Sequence, residues 1–311
     1  NDQRNKLVKS YIKFIKLVLP QVIIFENVHG FTVNFKGRKG TKQYSSYVER
    51  ALRRLGYKTM HQIVDMSEYG VPQNRKRFIL VAMRDYFPKN VFETLARNKE
   101  AFCLSKGISC TTSIKDAIGD LEQANGSMPS PDTKGFMAGI YGPEQSGYQH
   151  LMRSGIKTTG LIADSHRFVN HRKNTIKLHK ELLEKAPVGK RITPSDNIVE
   201  NLNRRGVTVL DANAQAPTIT SIPDELVHYK EPRILTVREH ARIQSFPDWF
   251  EFKGQYTSGG KQRKQEVPRY TQVGNAVPPL FAEQVGLAIL EVLSHEQPNK
   301  ELSFRISSGL K

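Results

Sequence analysis

A carboxylate and an amide, Glu26 and Asn27, directly follow an apolar run at residues 22–25 in the sequence VIIFENVHG. Four apolar, largely β-branched residues predict a strand that is buried on both faces of a parallel sheet. Because such sheets bind ligands beyond the carboxyl ends of their strands, we expect both polar side chains at a ligand site. Burial there favours a protonated carboxyl group, so Glu26 could donate or share a proton near neutral pH. On this stretch alone, capping of the next segment or pairing with a lysine explains Glu26 equally well.

Two arginines, Arg75 and Arg77, form a second candidate site in GVPQNRKR, directly before the apolar run FILVAM. In an extended chain alternate side chains lie on the same face, so we expect the two guanidiniums to point to the same side. Together they would form a fixed fork for a phosphate or a base carbonyl. A basic surface loop is the ordinary alternative.

Two further stretches combine scaffold features with groups that could bind a ligand. PRILTVREHARIQSFPDWF, residues 232–250, predicts a helix that opens with a Thr236–Glu239 capping box, has a basic face and ends at Pro247. GNAVPP, residues 274–279, predicts a tight loop before a helix, and the first backbone amides of a helix favour an anionic group. Either stretch could instead be ordinary scaffold.

The charge balance indicates a polyanionic partner. The 311 residues include 47 Lys and Arg against 30 Asp and Glu, which gives a formal net charge of +17 and a pI near 9.8. Such an excess attracts a phosphate backbone, so we favour a nucleic-acid partner over a ribosome-associated or merely basic protein. The apolar runs at 22–25 and 78–83 are too short to cross a bilayer, so we expect no membrane partner. Two cysteines, Cys103 and Cys110, are too few for a disulfide framework and suit a reducing cytosol.

Alternating helices and strands predict an α/β fold with a doubly wound, mostly parallel sheet. An amphipathic helix over 1–19 ends at Pro20, and a helix over 44–55 precedes strands over 57–64 and 77–83.

The pattern loosens after residue 84, which indicates a second module. Residues 85–250 are irregular, with short helices at 114–121 and 175–184, and residues 251–311 return to the first module through a helix over 279–293 and a polar, frayed end. The densest basic stretch lies in the second module and contains Arg153, Lys157, Arg167, His171, Arg172, Lys173 and Lys177. Phosphate and base contacts are expected there, at Arg153, Lys157, Arg167, Arg172 and Lys173, and solvated surface is the alternative for any single residue.

Four motifs in order, FENVHGF, GVPQNRKRFILVA, PRILTVREHARIQSFPDWF and QVGNAVPP, resemble the DNA cytosine-5 methyltransferase family. The resemblance covers nearly the whole chain except the variable middle, where that family carries its target-recognition domain. It implies a Rossmann-like methyltransferase sheet, with residues 1–84 as the second half of the catalytic domain and 85–250 as the recognition domain. Residues 251–311 would then return to the catalytic domain.

The resemblance also implies roles for single residues. Glu26 would hydrogen-bond or protonate N3 of cytosine while a cysteine thiolate adds at C6, and Asn27 would help to fix the strand end. Arg75 and Arg77 would hold the flipped cytosine and the nearby backbone, since the base must leave the duplex for this chemistry. S-adenosylmethionine would be enclosed by the loop that contains Gly274, Asn275, Ala276 and Val277.

The chain departs from the family pattern because it lacks the Pro-Cys nucleophile and the Gly-rich cofactor loop. Neither Cys103 nor Cys110 has a Pro-Cys context, and we take neither as the nucleophile. We therefore expect a part of a longer protein, or one subunit completed by a partner, with an exposed apolar sheet edge and no activity alone. An RNA (tRNA) cytosine-5 methyltransferase and a non-catalytic DNA-recognition subunit remain alternatives. We expect a cytoplasmic, nucleoid-associated protein that needs no metal.

Overall fold

The computed structural model describes residues 4–33, 35–37, 40–42, 44–156, 161–200, 202, 206–257 and 266–295. The chain divides into two compact units. The first unit comprises Asn1–Ile63, Phe78–Asn98 and Gln284–Lys311, and the second comprises Val64–Arg77 and Lys99–Glu283. The predicted polar end at 296–311 lies outside the described residues.

The first unit contains a three-stranded sheet in the order β1-β5-β4, and a separate antiparallel pair, β2 and β3. Its elements, some of which continue into the second unit, are α1 (Arg4–Val18), β1 (Val22–Val28), β2 (Phe35–Gly37), β3 (Gly40–Lys42), α2 (Tyr44–Arg54), β4 (Lys58–Asp65), β5 (Lys76–Met83), α3 (Pro88–Ser105) and most of α9 (Pro279–His295). The predicted helices over 1–19 and 44–55 are confirmed as α1 and α2, and the predicted strands over 57–64 and 77–83 as β4 and β5.

Apolar side chains of α1, α2 and the sheet form the core of the first unit. Ile15 of α1 and Leu52 of α2 are buried with Ile23 of β1 and with Phe78 and Leu80 of β5. Both helices therefore pack their apolar stripes on the sheet, which is the usual way for an amphipathic helix to gain stability.

The prediction that β1 is buried on both faces is wrong. Ile24 is 44% exposed and Val28 is 55% exposed, and these two residues lie on the same face of β1. The strand also lies at an edge of the described sheet. The strand also runs to Val28, so Glu26 and Asn27 lie within it rather than beyond its end.

The prediction of an irregular chain directly after residue 84 is also wrong, since α3 occupies Pro88–Ser105. Pro88 stands at the first helical position, where its missing amide hydrogen has no cost. Val91, Phe92 and Leu95 are buried at helical spacing, so burial of one face accounts for a helix that composition alone did not indicate.

The second unit is built from short elements. These are α4 (Ile114–Ile118), β6 (Ser127–Pro129), β7 (Met137–Gly139), α5 (Gly147–Arg153), α6 (Lys173–Lys185), β8 (Arg191–Ile192), β9 (Val207–Val209), β10 (Leu226–Val227), α7 (Val237–Ile243), α8 (Arg269–Asn275) and the start of α9. The pairs β6–β7 and β8–β9 are antiparallel, whereas β9–β10 is parallel. The predicted short helices correspond to α4 and α6, and the mixed α/β class is confirmed.

Two apolar clusters support the second unit. One joins Leu182 of α6 to Ile192, Val207 and Val227 of the small sheet. The other joins α7 and α8 through the side chains of Val237, Ala241, Tyr270 and Val273, together with Phe252 and Tyr256 from the loop between the helices.

The stretch from Arg269 to Ser294 has the length and composition of a membrane span. It is interrupted, however, because α8 ends at Asn275 and α9 begins at Pro279. Phe281 and Val285 of α9 are buried within the protein, whereas Leu287 and Leu290 are exposed.

Candidate functional site

Glu26 lies on β1 directly after Phe25, whose ring packs against three other aromatic rings. The ring centroid of the preceding Phe25 lies 5.7 Å from that of Tyr11, 5.3 Å from that of Phe31 and 6.4 Å from that of Phe78. Glu26 itself is partly buried. The ring contacts fix the backbone that carries the carboxylate, which is what a proton donor of defined position requires.

Asn27 is partly buried beside Glu26, and its Oδ1 accepts a hydrogen bond from the backbone amide of Val28 at 2.8 Å. This contact lies within the last two residues of β1. Glu26 and Asn27 belong to the first unit, whereas Arg75 and the loop at 274–277 belong to the second.

Gln73 is a fully buried link between three segments of the second unit. Its Nε2 donates to the carbonyl of Ile243 at 3.2 Å and to Oε1 of Gln244, and its Oε1 accepts the amide of Ile219 at 3.1 Å. The side chain therefore holds the arginine motif against α7.

Arg75 is only 3% exposed, and its guanidinium binds backbone carbonyls. Nη1 donates to Ile219 at 3.1 Å, and Nη2 donates to Gly274 and Ala276, each at 3.1 Å. Arg77 is partly exposed and donates to the carbonyl of Lys76 at 2.9 Å. The two arginines therefore do not form the single fork that their spacing predicts, because carbonyls occupy the terminal nitrogens of Arg75.

The loop at 274–277, which includes the last two residues of α8, is fixed in part by a side chain that sequence reasoning did not select. Nε2 of the buried Gln244 donates to the carbonyls of Val273 at 3.1 Å and Ala276 at 2.7 Å. Gly274 is required here, since a Cβ atom would lie 2.5 Å from the carbonyl oxygen of Thr220. Gln244 and Arg75 thus hold the same loop, although no local pattern connects them.

Prolines remove two of the backbone donors that were expected to bind an anion at the start of α9. Pro278 and Pro279 have no amide hydrogen, and the amide of Leu280 donates to Oγ of Ser245 at 3.2 Å. The groups that the loop exposes are instead the side chains of Asn275 and Val277.

The predicted capping box of α7 is confirmed. Oγ1 of Thr236 accepts the amide of Glu239 at 3.2 Å, and Oε2 of Glu239 accepts the amide of Thr236 at 2.6 Å. The Glu239 carboxylate also accepts two hydrogen bonds from Arg233, at 2.8 Å and 2.7 Å. Burial alone would raise the pKa of Glu239, but the neighbouring Arg233 outweighs it and holds that pKa far below its usual value.

The prediction that α7 presents a basic face is wrong, because Arg238 and Arg242 are fully buried. Arg242 binds Asp248 through Nε at 2.7 Å and Nη2 at 2.6 Å, and its Nη1 lies 3.1 Å from Oδ1 of Asp120. Burial would raise the pKa of Asp248, but Arg242 more than offsets this and lowers it. The arginines of α7 are internal scaffold.

The basic residues expected to contact a polyanion fall into distinct environments. Arg153 is engaged internally, since its Nη1 donates to the carbonyl of Gly142 at 2.9 Å and lies 3.3 Å from Oδ2 of Asp120. Arg172 and Lys173 are exposed at the start of α6, and Lys157 lies outside the described residues.

The remaining basic candidates also differ from one another. Lys177 is exposed, with its Nζ 4.0 Å from Glu181, and the partly buried His171 accepts the amide of Ile234 at 3.4 Å. Arg167 is partly exposed and lies between two aromatic rings.

The two cysteines lie together in the second unit, with their Sγ atoms 2.6 Å apart. Burial and the hydrogen bond with Cys110 raise the pKa of Cys103 to about 12. Cys103 is therefore a protonated thiol at neutral pH, unlike a thiolate nucleophile. Within the described residues, no group of three His, Cys, Asp or Glu side chains is arranged to hold a metal ion.

Comparison with known proteins gives a consistent set of similarities. The family model of the C-5 cytosine-specific DNA methylases matches residues 1–291. The chain is 29% identical to the Type II methyltransferase M.XorII of Xanthomonas oryzae pv. oryzae, over 97% of this chain and 66% of that protein. It is 25% identical to the Type II methyltransferase M1.HphI of Haemophilus parahaemolyticus, over 95% of this chain and 63% of that protein. The chain thus spans just under two thirds of the length of these curated relatives.

A solved structure shows the same fold. It is a prophage-encoded protein of E. coli described as a DNA modification methyltransferase, with a TM-score of 0.62 and 20% sequence identity. The similarity covers 94% of this chain and 76% of that one.

Proposed function

Because this chain belongs to the C-5 cytosine-specific DNA methylase family, we propose that it supplies the proton donor and the DNA-recognition region of a DNA (cytosine-5-)-methyltransferase. The substrate would be a cytosine flipped out of a specific duplex site. The observation that carries the proposal is the family match over residues 1–291, which includes Glu26, Arg75 and the loop at 274–277. The chemical roles of these residues follow the motif resemblance.

Glu26 would act on the cytosine ring directly. Cytosine C5 is a weak nucleophile until a thiolate adds at C6, and a hydrogen bond or proton from Glu26 to N3 would stabilise the charge that this addition develops. Arg77, which is partly exposed, would bind the flipped nucleotide. Arg75 would act as a positioning residue, because its hydrogen bonds hold the loop carbonyls of Gly274 and Ala276.

The residues at 274–277 fit a role in binding S-adenosylmethionine. The loop is held from behind by Arg75 and Gln244, and it exposes one amide side chain, Asn275, and one apolar side chain, Val277. These two side chains would hold the donor, which supplies an electrophilic methyl group when bound. Gly274 and Ala276 would shape the backbone between them.

We infer that the β1-β5-β4 sheet is a part of a doubly wound, mostly parallel methyltransferase sheet. In the described sheet β1 pairs with β5 and leaves its other edge open, and Ile24 and Val28 are exposed there. Phe14 and Leu17 of α1 are also exposed. This apolar surface would receive the polypeptide that carries the Pro-Cys nucleophile and the Gly-rich cofactor loop, either from a longer chain or from a second subunit.

The functional division of the chain is part of the proposal. Residues 1–84 and 251–311 would belong to the catalytic domain and 85–250 to the target-recognition domain. The names of the relatives, Type II methyltransferases, favour a place in a restriction–modification system, in the cytoplasm with the DNA.

Transfer of labelled methyl from S-adenosylmethionine to duplex DNA tests the function. We expect no transfer by this chain alone and transfer once the upstream polypeptide is supplied. In the completed enzyme, Glu26→Gln should lower kcat by about 10²- to 10⁴-fold, the usual contribution of a general acid. The matched control is Glu93→Gln, which removes an exposed carboxylate on α3 and should leave kcat unchanged.

Three outcomes would overturn parts of the proposal. Methyl transfer by this chain alone would contradict the need for a partner. Transfer to folded RNA but not to duplex DNA would favour the RNA-directed alternative. DNA binding without any transfer, in the completed form, would favour a non-catalytic recognition subunit.

A further inference from the structure

Arg167 of the second unit is clamped between two aromatic side chains. The centre of its guanidinium lies 4.0 Å from the ring centroid of Phe136 and 3.8 Å from that of Tyr256. The backbone of Arg167 forms an antiparallel bridge with Ala138 of β7, so the side chain starts from a fixed extended segment. Stacking on two rings holds the planar group in one orientation.

A second arginine beside Tyr256, Arg269, has hydrogen-bond acceptors for its guanidinium. Arg269 also lies over the ring of Tyr256, with 4.3 Å between its guanidinium and the ring centroid. Its Nε donates to the carbonyl of Gly254 at 2.9 Å, and its Nη1 lies 2.7 Å from Oδ2 of Asp132 and 2.9 Å from Oγ of Ser165.

Arg167 has no such acceptor among the described residues of the chain. Its Nε is buried without a hydrogen-bond partner, and no carboxylate lies within 4.0 Å of its guanidinium. Asp132 is the carboxylate whose charge acts on Arg167, but it already binds Arg269 and the hydroxyl of Tyr256. The residues of the second unit that the structure does not describe contain no Asp or Glu, so they offer no carboxylate either.

A half-buried cation without a counter-charge is unfavourable unless a ligand supplies one. Burial lowers the pKa of Arg167 from its usual value, although an arginine stays protonated at neutral pH. A neutral base edge would satisfy the hydrogen-bond donors only, whereas a phosphate would also neutralise the charge. The clamp between Phe136 and Tyr256 is therefore better suited to an anion.

We propose that the clamped guanidinium of Arg167 binds one phosphodiester group of duplex DNA and so positions the duplex on the second unit. This inference rests on the proposed function, because that function makes duplex DNA the polyanion in question. Arg153 is not given this role, because its guanidinium binds Gly142 and Asp120 within the protein. The contact made by Arg167 would position the duplex and would not recognise a base.

The test is the salt dependence of DNA binding by the full chain. Binding to a 20-base-pair duplex of mixed sequence would be followed by fluorescence anisotropy between about 50 and 200 mM salt. Arg167→Gln should reduce the slope of log K against log salt concentration by about 0.9 and weaken binding about eightfold near 0.1 M salt, as expected for one phosphate contact. The loss should be the same for duplexes of different sequence.

Arg191→Gln is the matched control. Arg191 is an exposed arginine of the same unit, and its Nη2 lies 3.7 Å from Glu225. The substitution therefore removes one positive charge, as Arg167→Gln does, but at a guanidinium that already has a counter-charge. We expect a smaller change in both affinity and slope than for Arg167→Gln. Circular dichroism and thermal unfolding would establish that each variant is folded.

If Arg167→Gln does not fold, the affinity and the salt slope of Arg167→Lys test the proposal instead. Lysine keeps the charge but not the stacked planar group, so the slope should persist while binding weakens, and unchanged affinity would overturn the proposal. An unchanged slope for a folded Arg167→Gln would overturn it as well, and a loss confined to one sequence would indicate a base contact instead. If the unaltered chain does not bind duplex DNA, the same titrations are made with the completed enzyme, and failure of that enzyme to bind would overturn the proposed function together with this inference.

Discussion

At the scale of single residues, the most consequential side chain of the second unit is Arg242. It is fully buried and forms ion pairs with two buried carboxylates, those of Asp120 and Asp248. Arg242→Met should therefore lower the free energy of unfolding by about 3–5 kcal/mol, because it removes the nearest cation from both buried carboxylates and leaves only the longer contacts from Arg153 to Asp120 and from Arg238 to Asp248. Urea denaturation would measure the change, and Arg84→Met, at an exposed arginine, should change stability by less than about 0.5 kcal/mol.

The two cysteines give a second prediction for single residues. Because Cys103 is buried and its thiol has a pKa raised to about 12, we expect it to take no part in methyl transfer. A completed enzyme with both Cys103→Ser and Cys110→Ser should keep its kcat within about threefold, a change of well under 1.4 kcal/mol in the barrier. A loss of several orders of magnitude would reveal a nucleophile here and contradict the proposed division of the active site.

At the scale of elements, α7 depends on its capping box and on a neighbour from a distant segment. Thr236 Oγ1 accepts the amide of Glu239, and it also lies 2.9 Å from Nδ1 of the buried His166. Thr236→Ala should lower the free energy of unfolding by about 1–2 kcal/mol, and Thr236→Ser, which keeps the hydroxyl, by much less. Equal losses for alanine and serine would show that the methyl group matters and the cap does not.

Elements whose signals are local could be predicted from the sequence. The α7 capping box joins residues three positions apart, and α1 and α2 show apolar residues at helical spacing, so each was visible within one window. The contacts that hold the loop at 274–277 were not, because Arg75 reaches Gly274 across 199 positions. The exposure of β1 also depends on its place in the sheet, which no single strand encodes.

The candidate site could likewise be predicted only where its signals are local. The order of the motifs identified Glu26, Arg75 and Asn275, but it did not indicate that Arg75 is buried whereas Arg77 is partly exposed. Gln244 was missed because one glutamine within a helical pattern has no distinctive spacing. The partners of Arg167, which are Phe136 and Tyr256, are distant in sequence and were invisible for that reason.

At the scale of the whole molecule, buried neutral histidines should make the protein sensitive to acid. Burial lowers the pKa of His166 and His240 to about 4 and that of His228 to about 3. Their stabilisation is complete above the unfolded pKa of about 6.5 and is lost as pH falls towards 4, because the unfolded chain binds more protons in that window. Each histidine should lower the free energy of unfolding by about 2 kcal/mol between pH 7 and pH 5.

Urea denaturation at pH 7, 6 and 5 would check this expectation. Asp120 and Glu231 act in the opposite direction, because burial raises the pKa of each carboxyl group and so favours its protonated form in the folded protein. We expect the histidines to dominate between pH 7 and pH 5, because three histidines bind protons only in the unfolded chain across most of this window. Stability that is constant or rises from pH 7 to pH 5 would contradict the prediction.

The contact between Arg242 and Asp120 also limits how recognition segments could be exchanged between relatives. The two side chains are 122 positions apart, with Asp120 inside the proposed recognition domain and Arg242 on the helix near its end. A chimera that replaced residues 85–236 would discard Asp120, keep Arg242 on α7 and depend on the donor to bring an equivalent acid. A graft that begins after Leu121 and ends before α7 would keep the pair intact, so these junctions are the better starting point for transferring a new sequence preference.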